Sequence, residues 1–265
     1  MLTVFQLQLL ASFFLGGGMI ALLSFWAERA PSRTAGVILS LPSTVAIGLF
    51  FIGWTLGPER MPEVVAPIPF TAGSVFLFVI AYLYLSKLKL PKPASMLLCI
   101  SASLTIWLAI SFPIAISGFN NLGLSLLAFI TLGLIGYYFI TLKPHTRASQ
   151  KPLTYTPLQK IARAAFAGSI ITIAVYLANT LGPVWGGVFS YFPAVYTSTL
   201  LILHWKYNSD FLFKVFKHTP IGSIPTITFA IACAYTFPVF GVVGGILLAY
   251  GISLVPFTIL MVRPE

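Results

Sequence analysis

The chain has 265 residues, of which 58% are hydrophobic and only 8% are charged. Soluble domains carry about 25% charged residues, so this chain has too few charges to cover a surface that faces water. The composition excludes soluble enzymes, nucleic-acid-binding proteins and disordered scaffolds. A formal net charge of +10 is then typical of a membrane protein whose Lys and Arg lie at one face of the bilayer.

Nine apolar segments are long enough to cross a bilayer, since a membrane helix needs about 20 mostly apolar residues. In chain order, spans 1 to 9 cover residues 4–26, 36–57, 67–86, 95–117, 121–142, 160–181, 185–205, 218–237 and 240–262. The first has no basic residues before it and is too long for a signal-peptide core. A turn at residues 238–241 separates spans 8 and 9. We predict an all-α, polytopic membrane protein.

The basic residues test this count of spans. The loops after spans 1, 3, 5 and 7 and the C-terminus hold every Lys and Arg except one, namely Arg29, Arg33, Lys87, Lys89, Lys92, Lys143, Arg147, Lys151, Lys160, Arg163, Lys206, Lys214, Lys217 and Arg263. The opposite side holds Arg60 alone. Because positive residues favour the cytoplasmic face, we predict an N-terminus outside and a C-terminus in the cytoplasm.

An internal repeat is indicated by residues that recur 151 positions apart. The matching pairs are Gly17 and Gly168, Ala27 and Ala178, Gly36 and Gly187, Pro42 and Pro193, Leu49 and Leu200, and Pro69 and Pro220. Spans 1 to 4 match spans 6 to 9, so we predict one four-helix repeat at 1–118, a connector helix and basic loop at 119–159, and a second repeat at 160–265. Five spans separate equivalent helices, so the two repeats face opposite ways. Inverted repeats are typical of secondary transporters.

The same helix starts resemble the small four-helix GlpM-like membrane proteins. The matching stretches are Ala35 to Thr44 and Pro67 to Ser74, and in the second half Gly186 to Tyr196 and Pro220 to Pro225. The resemblance implies an integral inner-membrane protein of poorly defined function. Here two such units are predicted to be fused in one chain, which departs from the family.

Paired proline and glycine interruptions predict the substrate pathway. Pro42 and Pro193 lie about six residues inside spans 2 and 7, where a proline frees a backbone carbonyl and kinks a helix. The predicted pathway residues are Gly36, Ser40, Pro42, Ser43, Thr44, Thr71, Gly187, Tyr191, Pro193, Tyr196, Thr197, Ser198, Ser223 and Thr226. Ordinary packing through small and hydroxyl residues is the alternative explanation.

The ionisable residues give little sign of chemistry. All five acids lie in loops or at the ends of predicted spans. We predict that His145, His204 and His218 lie in or beside cytoplasmic loops. Glu28 and its repeat equivalent Asn179 are candidates for gating, although Glu28 could equally pair with Arg29 or Arg33. We find no catalytic constellation, metal-ligand spacing or cofactor motif, and predict neither an enzyme nor a bound cofactor or metal.

The leading hypothesis is a small secondary transporter or facilitator in the inner membrane, moving a small solute between the two repeats. A passive channel for small ions or solutes and a non-transporting structural or assembly subunit are the alternatives. The expected partners are membrane lipid and an unidentified small molecule or ion, with no nucleic acid. A homo-oligomer is compatible with the sequence.

Overall fold

The computed structural model describes residues 3–29, 42–142 and 156–262, which are helical and contain no strand. The helices are α1 (Val4–Arg29), α2 (Ser43–Leu56), α3 (Met61–Val65), α4 (Ile68–Leu85), α5 (Lys92–Ile116), α6 (Leu122–Gly136), α7 (Pro157–Leu181), α8 (Pro183–Ser190), α9 (Ala194–Lys206), α10 (Ser209–Phe216), α11 (Thr219–Gly222) and α12 (Ile224–Val262). A 3-10 turn, Pro58–Arg60, precedes α3, and α6 continues as a π-helix, Tyr137–Leu142.

Seven helical segments in the described part of the chain are long and apolar enough to cross a membrane. Predicted span 2 is represented there only by α2, whose 14 residues are too few by themselves. Predicted spans 8 and 9 fall within one helical segment, Ser209–Leu260. It bends at Gly241, where φ is 68°, in the left-handed region that glycine adopts without a steric penalty. The all-helical class is confirmed for the described residues, and the seven long apolar segments agree with a multi-pass membrane protein.

The prediction that span 7 is one kinked helix is wrong. Its helix ends at Ser190 and a new one starts at Ala194, with Pro193 at the junction in a non-helical conformation (ψ 47°). A proline ring lacks the N–H that would continue the hydrogen-bond ladder and clashes with the preceding turn, so the helix breaks completely. Pro42 likewise stands before the first residue of α2 and not inside a described helix.

Helix α10 was missed by the sequence analysis, which placed residues 209–216 in a cytoplasmic loop. The Asn208 side chain accepts a hydrogen bond from the Phe211 N–H at 3.2 Å, which is a standard N-cap. The buried residues of this helix are Phe211, Leu212, Phe213 and Phe216. The charges of Asp210 and Lys214 obscured a short helix that packs one apolar face against the bundle.

Helices α1 and α7 form the closest helix pair of the bundle. A Cβ atom placed on Gly17 would lie 2.8 Å from the carbonyl oxygen of Ala164, and one placed on Gly168 would lie 2.6 Å from the carbonyl oxygen of Phe13. The two helices therefore run antiparallel, backbone against backbone. The Ser12 and Thr172 hydroxyls, 3.1 Å apart, join the same interface. Small residues permit this approach in a membrane, where packing drives helix association.

Helix α4 occupies the centre of the bundle, and α5 connects it to the broken helix. Most of α4 is buried, including Phe76, Phe78 and Tyr82. It packs against α5 and α6 along its length and also contacts α8, α10 and α12. Helix α5 in turn contacts α4, α8 and α9, so one of its faces lies between the centre of the bundle and the break at residues 191–193.

Candidate functional site

One face of α5 carries a continuous row of buried residues with polar atoms. They recur every four positions and are Ser95, Cys99, Ser103, Trp107 and Ser111, which we call the α5 row. Residues four apart lie one above the other on a helix, and the row is about 24 Å long at the usual rise per residue. The exposed part of the helix surface is mostly apolar, as at Leu97 and Phe112. The polar face of this span therefore points into the protein.

At its N-terminal end the row meets His204 of α9. The Tyr82 hydroxyl lies 3.2 Å from Nδ1 of His204, and the Ser95 hydroxyl lies 3.5 Å from Nε2. Three helices are thus joined through one imidazole. Close by, the Lys92 ammonium donates to the Trp205 carbonyl at 3.0 Å, which ties the start of α5 to the end of α9.

At its other end the row meets α4 through a pair of serines. The hydroxyls of Ser74 and Ser111 lie 3.3 Å apart, and Ser74 also donates to the Thr71 carbonyl at 2.7 Å. A hydroxyl has a single hydrogen to donate. Ser111 is therefore the donor to Ser74, and both ends of the row have satisfied polar groups.

The middle of the row is different, because its polar atoms have no hydrogen-bond partner within the described chain. Trp107 and Ser103 are both fully buried, yet Nε1 of Trp107 and Oγ of Ser103 are unpaired there. The Trp107 ring packs edge to face on Phe192 and Phe189, with ring centroids 5.0 and 5.9 Å apart. Phe192 also contacts Phe166 of α7, at 6.2 Å. The indole that carries the unpaired N–H of Trp107 is therefore packed among aromatic rings.

Thr197 of α9 is buried and also has an unpaired hydroxyl in the described chain, as has Thr55 of α2. Most buried Ser and Thr hydroxyls here donate to a carbonyl three or four residues earlier, as in Ser12, Thr71, Ser74, Ser86, Ser190, Ser223, Thr236 and Ser253. Ser103 and Thr197 do not. Their hydroxyls remain available to a group from outside their own helices, and a buried donor without a partner costs about 1 to 3 kcal/mol.

The register of α5 against the broken helix puts Thr197 level with Ser103. Ser95 contacts His204, and Trp107 contacts Phe192. Trp107 lies twelve residues after Ser95, whereas Phe192 lies twelve residues before His204. The two segments are therefore antiparallel and advance at the same rate. Ser103 therefore falls opposite residues 196–197, one helical turn along α5 from the contact between Trp107 and Phe192.

Two basic residues that the sequence placed in or beside loops are buried side chains of helices. His204 belongs to α9, and Arg163 belongs to the second turn of α7. The Arg163 guanidinium donates to the Thr199 hydroxyl at 2.9 Å. Both residues lie inside the predicted spans 6 and 7, near the ends that adjoin the basic loops. The sequence did not indicate that their side chains are buried, because burial depends on the helices that pack around them.

The predicted pathway residues of span 7 lie beside the α5 row. Tyr191, Pro193 and Thr197 are buried at the helix break, while Tyr196 and Ser198 are partly buried. Gly187 is packed so tightly that a Cβ atom would overlap the Val64 carbonyl oxygen. This glycine is therefore a close-packing position between α8 and α3.

The remaining predicted residues are dispersed. Pro42, just before α2, is buried, and Ser43 and Thr44 in its first turn are partly buried. Thr71 and Ser223 are buried, and their hydroxyls donate to carbonyls three residues earlier. Thr226 is partly buried and Asn179 is exposed. Gly36 and Ser40 lie outside the described residues. Glu28 lies in α1, but its side chain is not among those described.

Sequence reasoning missed the α5 row, although its signal is present in span 4. Serine, cysteine and tryptophan recur there at intervals of four, which marks one helix face. The Pro and Gly interruptions that recur in both predicted repeats lie in spans 2, 3, 7 and 8, whereas the pattern in span 4 is unpaired. His, Cys, Asp and Glu form no group of three that could share a metal ion among the described residues.

Comparison with known proteins gives one match. A family model described as a protein of unknown function, DUF3147, matches residues 160–262, which is less than half of the chain. It is not the GlpM-like family that the helix starts resemble. No curated protein and no solved structure matches the chain.

Proposed function

We propose that this protein is a small secondary transporter or facilitator of the inner membrane, built from two inverted four-helix repeats, with a solute pathway along the α5 row. The pathway passes between α4, α5 and the broken helix formed by α8 and α9. The observation that carries the proposal is the α5 row itself. It extends about 24 Å through the protein, close to the roughly 30 Å thickness of a bilayer core, and its central donors are unpaired within the described chain.

The local backbone supports the repeat. Pro42 and Pro193, 151 residues apart, have nearly the same conformation, with φ/ψ of −73°/49° and −74°/47°. The carbonyl of each accepts a hydrogen bond of 2.8 Å from the residue four positions later. Helical segments also begin 151 residues apart at Pro58 and Ser209. Agreement in dihedral angles and in element starts is what duplicated units share.

The α1–α7 contact supports inversion of one repeat relative to the other. Gly17 lies on Ala164, and Gly168 lies on Phe13. Ala164 is the equivalent of Phe13 and Gly168 is the equivalent of Gly17, since each pair is 151 residues apart. Such a reciprocal contact is the mark of a two-fold axis. The antiparallel direction is the one that inverted repeats require of equivalent helices.

Contacts between loops support the orientation. Lys92 donates to the Trp205 carbonyl, Lys87 lies 4.2 Å from the centre of the Phe213 ring, and the Thr141 hydroxyl donates to the Lys217 carbonyl at 2.6 Å. These contacts join the ends of spans 3, 5 and 7. All of them belong to the basic side that we assign to the cytoplasm.

The family match supports treating the second half as a unit. It begins and ends close to the bounds predicted for the second repeat and includes none of the first half or the connector. A segment that recurs as a family by itself is suited to duplication and fusion.

The proposal is tested by uptake into liposomes that contain the purified protein. A screen of small neutral solutes identifies one that enters faster than into protein-free vesicles. Ser103→Leu is then expected to reduce that uptake at least about tenfold, because the larger side chain fills the row at its middle and close-packed sites do not absorb extra volume freely.

Ser101→Leu is the matched control. Ser101 lies two residues away on the exposed face of α5, so the same change there leaves uptake unaltered. If the protein accelerates no solute in the screen, or if Ser103→Leu and Ser101→Leu transport equally, the pathway along the row is refuted.

A further inference from the structure

Trp107 and Ser103 at the middle of the α5 row, and Thr197 on the facing helix α9, carry hydrogen-bond donors that have no acceptor within the described chain. The indole N–H of Trp107 can only donate, whereas the hydroxyls of Ser103 and Thr197 can donate or accept. All three groups are buried and unpaired within the described chain. In low-dielectric surroundings this arrangement is stabilised by any molecule that brings a hydrogen-bond acceptor to it.

The walls of this region are aromatic. The Trp107 ring contacts Phe192 and Phe189, and Phe192 also contacts Phe166. A ligand here would meet ring faces and edges around its non-polar part. Such a mixture of apolar lining and a few convergent polar groups is typical of small-molecule sites.

Charge distinguishes between ligand classes. Of the acids whose side chains are described, Glu59 is exposed and Glu63 and Asp210 are partly exposed. None of them is buried beside the row, where it could hold a cation. The buried Arg163 directs a guanidinium N–H to Thr199. An isolated charge is costly to bury, which favours a neutral ligand.

We propose that Trp107, Ser103 and Thr197 form a binding site for a small neutral solute that carries a hydrogen-bond-accepting oxygen beside a short apolar group, as primary amides and short alcohols do. The oxygen accepts from the Trp107 indole and the Ser103 hydroxyl, and the apolar part packs against Phe189 and Phe192. This inference rests on the proposed function for the role of the site, since it names the substrate class of the same pathway.

Binding is measured without any transport step, using the indole N–H resonances of the full-length protein labelled with ¹⁵N at tryptophan, in nanodiscs. Trp107→Phe assigns the Trp107 signal. Acetamide is the probe, and the Trp107 resonance is expected to shift and to saturate. The signals of Trp54 and Trp205, whose side chains are more than half exposed, serve as internal controls and stay in place.

Ser103→Ala tests the second donor with little risk to the fold, because it removes only the hydroxyl. It is expected to weaken acetamide binding by about threefold to tenfold, which corresponds to the usual free-energy contribution of one neutral hydrogen bond. Ser101→Ala, on the exposed face, leaves the affinity unchanged. Acetate has nearly the same shape as acetamide and is expected to leave the Trp107 signal in place.

The outcomes separate this inference from transport. A Trp107 resonance that does not respond to acetamide, or that shifts together with Trp54, overturns the site. A stronger response to acetate than to acetamide overturns the neutral class. Saturable binding without uptake by liposomes supports the site and contradicts the transport proposal. Uptake by liposomes with an unresponsive Trp107 signal supports transport and contradicts the site.

Discussion

Gly17 and Gly168 each lie against the backbone of the other's helix, Gly17 on the carbonyl of Ala164 and Gly168 on the carbonyl of Phe13. The contact is reciprocal, and neither glycine has room for a methyl group. It holds α1 and α7 antiparallel at backbone distance. Since these two helices make the most extensive contact in the bundle, the stability of the protein depends on keeping both positions small.

Gly17→Ala is therefore expected to destabilise the protein by about 1 to 3 kcal/mol, since overpacking forces the two backbones apart. The measurement is thermal unfolding in detergent. Gly18→Ala is the matched control, because nothing lies within 4 Å of a Cβ atom at that position. Alanine is the better helix former by about 1 kcal/mol, so the control is neutral or slightly stabilising. Equal unfolding temperatures for the two variants would contradict the contact.

A second prediction concerns the junction of α8 and α3. Gly187→Ala places a methyl group on the Val64 carbonyl, and we expect it to lower stability by about 1 to 3 kcal/mol through the same overpacking. Gly251 also lies in a helix and has open space around it, so Gly251→Ala is expected to be neutral or slightly stabilising, for the same reason as Gly18→Ala. Thermal unfolding of both variants side by side checks this. A well-tolerated Gly187→Ala would show that α8 can move away from α3.

The Tyr82–His204 hydrogen bond provides a third prediction. Tyr82→Phe keeps the ring and removes the hydroxyl that lies 3.2 Å from Nδ1, leaving a buried imidazole nitrogen with one partner fewer. The expected cost in unfolding free energy is about 1 to 3 kcal/mol. Tyr235→Phe, at a residue whose side chain is 66% exposed, is the control and should change stability by less than about 0.5 kcal/mol.

A double-mutant cycle then isolates the pair. When His204 is already replaced by leucine, Tyr82→Phe should cost clearly less than it does in the parent. The same cost in both backgrounds would mean that the Tyr82 hydroxyl acts on something other than His204.

The fourth prediction tests orientation by cysteine labelling. Both natural cysteines, Cys99 and Cys233, are buried, so the parent protein should react little with a membrane-impermeant maleimide. Single variants Lys89→Cys and Asn120→Cys place a thiol at exposed positions before and after α5. We expect Asn120→Cys to react in intact cells and Lys89→Cys to react only after the membrane is opened.

Each other result of the labelling has a definite meaning. The opposite pattern would reverse the predicted orientation and with it the use of the positive-inside rule here. Reaction of both variants in intact cells would show that α5 does not cross the membrane.

The sequence by itself determined the helical, multi-pass class, because composition and the length of apolar runs depend only on transfer of side chains from water to lipid. It also singled out Pro193, Tyr191 and Thr197, since a proline within an apolar run disturbs a helix wherever it packs. It could not distinguish a kink from the complete break at residues 191–193, because the outcome depends on what the neighbouring helices offer the freed backbone groups.

Only the tertiary structure decided which polar groups meet. Three different helices contribute Ser95, His204 and Tyr82. More than 100 residues of chain separate Ser95 from His204, and no local pattern predicts such a contact. The unpaired state of Trp107 and Ser103 is likewise a property of their surroundings. Whether a buried donor has a partner is set by the packing of other helices around it, and that packing is a long-range consequence of the whole fold.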